Sequence, residues 1–95
     1  MTDLTQLPAI SAIYRVWYNN EVVYVGQTQN LKQRWQTHHI LPKLLKYYGT
    51  DWWIDWTEIQ PLYLNRAEAF AHRHFQPALN QSNPSALLGL SVALD

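Results

Sequence analysis

A chain of 95 residues and 11.2 kDa has room for one core, so residues 1–95 are expected to form a single domain, without a separate DNA-binding domain beside a catalytic one. Its 47% hydrophobic and 14% aromatic content excludes global disorder, and the absence of Cys excludes a disulfide framework, a thiolate zinc site and a cysteine nucleophile. Seven basic and seven acidic residues cancel, which argues against strong non-specific attachment to nucleic acid or anionic membrane.

Residues 1 to 10 read as a loosely held lead-in, with Pro8 keeping the chain extended. No apolar run approaches the roughly 18 residues that span a bilayer, and the start MTDLTQLPAI lacks the features of a signal peptide. A cytoplasmic protein with no membrane partner is therefore expected. Ala12 to Tyr18 and Glu21 to Val25 are β-branched and aromatic runs joined by Asn19-Asn20, which predicts a hairpin with apolar residues on both faces. Gly26 is expected to break the second strand. Thr28 or Asn30 can then cap a helix through Leu31, Trp35 and His38 or His39, ended or kinked by Pro42. A short helical piece, Lys43 to Tyr48, should stop at Gly49.

Asp51 to Gln60 alternates as a third strand whose Trp52, Trp53 and Trp56 are expected in the core rather than as stacking surfaces for bases. Asn65, followed three residues on by Glu68, has the form of a capping box and predicts a helix to about Phe75 with Pro77 beyond. The order is β-β-α-β-α. Pro84 to Asp95 carries five Leu and Val residues and is expected to lie on the core or on a partner. Charge is unevenly spread: Val22 to Thr50 has no acid yet holds Lys32, Arg34, Lys43 and Lys46, together with His38 and His39.

Chemistry-bearing residues occur in a fixed order. Ala12-Ile13-Tyr14 and Tyr24-Val25-Gly26 lie on the paired strands, with Arg34 and His38 four apart on the expected helix. Glu68 follows on the inward face defined by Leu64, Ala71 and Phe75, where a carboxylate needs a partner, and Pro77-Ala78-Leu79-Asn80 closes the set. His72 and His74, two apart on that helix, face different ways and are not expected to share a metal.

This ordered set resembles the GIY-YIG nuclease family over residues 12 to 80, with Ala12 in place of the first Gly and Val25 in place of the second Ile. The resemblance implies an α+β fold, a central and mainly antiparallel three-stranded sheet flanked by helices. It implies an endonuclease that hydrolyses DNA phosphodiesters with one Mg²⁺ or Mn²⁺, leaving 5′ phosphate and 3′ hydroxyl ends. Tyr14 would activate water, Arg34 and Tyr24 would hold the phosphate, and His38 would assist proton transfer. Glu68 would bind the metal, and Asn80 would hold the site's geometry. Lys32, Lys43 and Lys46 would contact DNA. Target choice would come from a targeting partner, a homodimer or a branched DNA substrate. The alternative is a binding or interaction module that keeps the fold without turnover.

The side chains suit the chemistry in their own right, since phosphodiester hydrolysis needs a deprotonated water, charge stabilisation on phosphoryl oxygens and help for the leaving alkoxide. That chemistry also makes a demand on register. A two-residue Asn19-Asn20 turn pairs Tyr18 with Glu21 and Tyr14 with Val25, placing Tyr14 and Tyr24 on opposite faces. A three-residue loop, or another of equal parity, sets Tyr14 opposite Tyr24 with both hydroxyls towards Arg34 and Glu68; this register is expected.

Overall fold

The computed structural model describes residues 4–36, 38 and 40–80. Strands β1 (Ala12–Tyr18), β2 (Glu21–Thr28) and β3 (Trp53–Glu58) form one antiparallel sheet in the order β2-β1-β3. Helices α1 (Leu31–Gln36) and α2 (Leu41–Tyr48) follow β2, and α3 (Leu64–Phe75) follows β3. This is the expected α+β arrangement. The sheet is covered on both faces. Tyr14, Val16, Val23, Tyr24 and Ile54 pack with Leu31, Trp35 and Leu44 on the α1/α2 side, and Ile13, Val22 and Val25 pack with Leu64 and Ala71 of α3 on the other. Among the described residues no helix is long and apolar enough to cross a membrane.

The hairpin solves the register problem by a different route from the expected loop. Asn19 and Asn20 both have positive φ (55° and 67°) and form a two-residue turn, so Tyr18 pairs with Glu21. Tyr14 nevertheless shares a face with Tyr24. The pairing runs Trp17 with Val22 and then Val16 with Tyr24, leaving Val23 as an extra residue in β2. That bulge turns both Val23 and Tyr24 into the α1/α2 core and shifts the remaining pairs by one, so Tyr14 lies opposite Gly26 instead of Tyr24.

Other boundaries moved for identifiable reasons. β2 continues through Gly26 to Thr28, because the ladder to β1 survives as far as Ala12. The lead-in is tied down: Leu7 is buried, and the carbonyls of Ile10 and Pro8 accept the N–H groups of Leu31 and Lys32, which have no partner inside α1. Asn30 caps the same helix, its Oδ1 accepting the Gln33 N–H at 3.0 Å. α1 ends at Gln36, so His38 is not on its face. Pro42 sits in the first turn of α2, where its missing N–H costs nothing, and does not kink a longer helix. Gly49 closes α2 with φ 63° and an N–H to Leu45.

A short turn at Pro61–Tyr63 starts α3 two residues earlier than expected, with Tyr63 rather than Asn65 at the cap position and no side-chain cap. Asn65 is thus inside the helix, and Glu68 is not part of a capping box. Of the tryptophans, Trp52 is buried beside Trp35, while Trp53 and Trp56 are 46% and 36% exposed, Trp53 lying flat against Trp17. The apolar stretch from Pro84 to Asp95 lies outside the described residues.

Candidate active site

Tyr14 is at the centre. Its ring is fully buried between Trp35, packed edge-on at 5.3 Å, and Tyr24, at 6.3 Å. The ring crosses β2 at Gly26, its partner in the ladder, and a β-carbon built on Gly26 would overlap the phenol at both Oη and Cζ. The close approach explains the glycine: with any side chain there the phenol would have to leave its place, and Trp35, His38 and Tyr24 leave it little room to do so.

The Tyr14 hydroxyl meets two nitrogen atoms. His38 Nε2 lies 2.7 Å away and Arg34 Nε 3.4 Å away. The His38 tautomer follows from its other ring atom. Nδ1 accepts the backbone N–H of Ile40 at 3.2 Å, so in the neutral ring the proton resides on Nε2. His38 therefore donates to the Tyr14 oxygen, as Arg34 does. Burial raises the Tyr14 phenol well above its ordinary range; the Arg34 hydrogen bond and charge oppose this, and Tyr24 and Glu68 reinforce it. Tyr24 is raised as well, first by burial, against the Arg34 charge. Arg34 is itself raised, chiefly through its bond to Tyr14. Beside the guanidinium opens a polar depression lined by Thr28, Gln29, Asn30 and Gln33.

Glu68 approaches from the other side of the sheet. α3 packs against the face opposite Tyr14, and the carboxylate comes to the free edge of β2 through Gln27, whose Nε2 donates to Glu68 Oε1 and to Asn65 Oδ1, both at 2.6 Å. The second oxygen, Oε2, faces His72 Nε2 at 3.5 Å. The Glu68 charge acts on Tyr14, Tyr24 and Arg34, which sets the carboxylate in the same electrostatic neighbourhood as the buried cluster. His74 turns away and stacks on Phe70.

Asn80 does not touch these groups. Its Oδ1 accepts the Val25 N–H at 2.7 Å and its Nδ2 donates to the Val25 carbonyl at 3.0 Å, so one side chain satisfies both backbone groups on the open edge of β2. Lys32 on α1 and Lys46 on α2 are exposed, and Lys43 on α2 is half-buried. Gln27 and the contact of His72 with Glu68 are additions the structure makes to the expected set. The i,i+4 spacing could have found the histidine, and strand alternation carried past Gly26 would have put Gln27 on the α3 face.

A single carboxylate with one amide donor and a nearby imidazole suits a divalent cation that keeps most of its waters. Among the described residues no group of three or more His, Cys, Asp or Glu gathers as a cage.

Residues 10–69 match the family model for the GIY-YIG catalytic domain, which is well over half of the 95 residues, and the chain belongs to the GIY-YIG family. Solved structures of the GIY-YIG N-terminal endonuclease domain of UvrC from Thermotoga maritima are similar. The magnesium-bound form is 13% identical, and two point mutants bound to the catalytic divalent cation are 13% and 12% identical. Each aligns with a TM-score of 0.66 over 78% of this chain and 86% of the other, a likeness of fold. No curated protein matches the chain.

Proposed function

We propose that this chain is a divalent-metal-dependent endonuclease acting on DNA phosphodiester bonds. The observation that carries the reading is the Tyr14 oxygen, which accepts from His38 and Arg34, while Glu68 is held by Gln27, the residue after Gly26. Tyr14 takes the proton of the attacking water. Its own proton must first be lost to bulk water in a pH-dependent equilibrium, and the two donors aimed at its oxygen stabilise the phenolate that results. His38 thus serves as a donor to the phenolate; accepting the tyrosine's proton would set its Nδ1–H against the Ile40 N–H. Arg34 offers the remaining edge of its guanidinium to the phosphoryl oxygens, and Tyr24, 9% exposed on the same face, binds phosphate beside it. Asn80 keeps the β2 edge straight beneath them.

Glu68 is the residue that holds Mg²⁺ or Mn²⁺, one per site; that the UvrC domains bind a catalytic divalent cation, magnesium in one, supports a divalent ion here. When bound, the ion supplies charge stabilisation for the leaving 3′ oxygen. Incubating the protein with plasmid, branched and single-stranded DNA in Mg²⁺, Mn²⁺ or EDTA tests the proposal: cleavage in either metal and none in EDTA is expected. A branched substrate, a homodimer or a targeting partner would supply target choice for so small a core.

Arg34→Ala should lower turnover by about 10²- to 10³-fold, the cost of losing one preorganised donor to a developing charge. Arg34→Lys should recover little of it, because a single ammonium cannot bond Tyr14 and phosphate at once. Steady-state kinetics on the three proteins check this, and full rescue by Lys would reduce Arg34 to a positive charge. Affinity for DNA measured in EDTA should fall with salt. Lys32→Ala, Lys43→Ala and Lys46→Ala should each weaken it on every sequence and make the salt slope shallower by about one. Binding that ignores salt would contradict a phosphate-contacting face.

A further inference from the structure

We propose that Gln27 is the positioning residue for the Glu68 carboxylate, fixing it as a metal ligand before any metal arrives; this rests on the reading of Glu68 given above. The geometry determines which way the amide points. An ionised carboxylate only accepts, so the atom 2.6 Å from Glu68 Oε1 is the amide nitrogen, as found, and the same nitrogen spends its second proton on Asn65 Oδ1 at 2.6 Å. Both protons are used, and both acceptors stand on one face of α3, three residues apart. Gln27 pairs with Ile13 immediately after Gly26, so it fastens the helix bearing the carboxylate to the strand that the Tyr14 ring crosses.

A free glutamate on a helix samples several rotamers, and ordering it on metal binding carries an entropic cost. Gln27 removes that freedom in advance and occupies Oε1, leaving Oε2, which His72 Nε2 faces at 3.5 Å, as the oxygen for a cation. Asn65 is the anchor that keeps the amide from following solvent. Groups that hold a metal ligand in this way typically change metal affinity by about 10- to 100-fold.

The test is Mn²⁺ binding without DNA, by calorimetry or electron paramagnetic resonance, on the wild type, Glu68→Gln, Gln27→Leu and Asn65→Ala, with thermal melts on each. Glu68→Gln identifies the binding signal by losing it. Gln27→Leu should weaken Mn²⁺ about tenfold, while cleavage at saturating metal stays within about threefold of wild type. Asn65→Ala, an exposed change that leaves the amide in place but untethered, should weaken it about threefold. Wild-type Mn²⁺ affinity in both Gln27→Leu and Asn65→Ala would overturn the positioning role and leave the nuclease reading standing. No Mn²⁺ signal in the wild type would overturn both.

Discussion

Glu68→Gln is expected to abolish metal-dependent cleavage while leaving the fold intact. Gln keeps the length and shape of the side chain, and its carbonyl can still accept from Gln27. What disappears is the charge that holds the cation, and with it several kcal/mol of transition-state stabilisation, a loss of about a thousandfold or more in rate. Little stability goes with it, since the Glu68–His72 contact is a partly exposed pair at 3.5 Å, worth under about 1 kcal/mol. Cleavage assays beside a denaturant melt separate the two effects. Activity at the wild-type level would remove Glu68 from the metal.

The second large effect is expected at Tyr14→Phe. The ring is packed on all sides, so Phe should keep its place against Trp35 and Tyr24, and the change isolates the hydroxyl. Removing it deletes the base and the 2.7 Å hydrogen bond to His38, a residue 3% exposed. Loss of a positioned base costs about 10²- to 10⁴-fold in rate, and loss of one buried hydrogen bond about 1 kcal/mol in stability. Single-turnover cleavage and urea unfolding read these separately. A stability loss with no change in rate would make Tyr14 a core residue only.

Element types were legible in the sequence because each depended on local pattern: the hairpin on Asn19-Asn20, α1 on Asn30, the end of α2 on Gly49. What was not legible depended on a partner far along the chain. The Val23 bulge leaves no turn signature, and only the need to bring Tyr14 and Tyr24 to one face pointed to a change of parity, which was assigned to the loop instead. Gly26 looked like a strand breaker because its real constraint is the Tyr14 ring twelve residues away. Asn65 and Glu68 have cap spacing, but Pro61 starts the helical path earlier and frees both side chains for Gln27. His38 reaches Tyr14 from the segment after α1 rather than from a helical face, oriented by the Ile40 N–H. The two-way bond of Asn80 to Val25 joins residues 55 apart in the chain, which no local pattern announces.

The role of Tyr14 as the group that takes the water's proton is tested most directly by the pH dependence of single-turnover cleavage at saturating Mg²⁺, wild type against Tyr14→Phe. Because burial raises the Tyr14 phenol, almost all of it is protonated at neutral pH, and the reactive phenolate grows about tenfold per pH unit until the raised value is reached. The wild-type rate should therefore climb with a slope near one from about pH 6 to about pH 9, while the residual rate of Tyr14→Phe stays low and loses that slope. A Tyr14→Phe protein that cleaves at the wild-type rate, with the same rise in pH, would contradict the account.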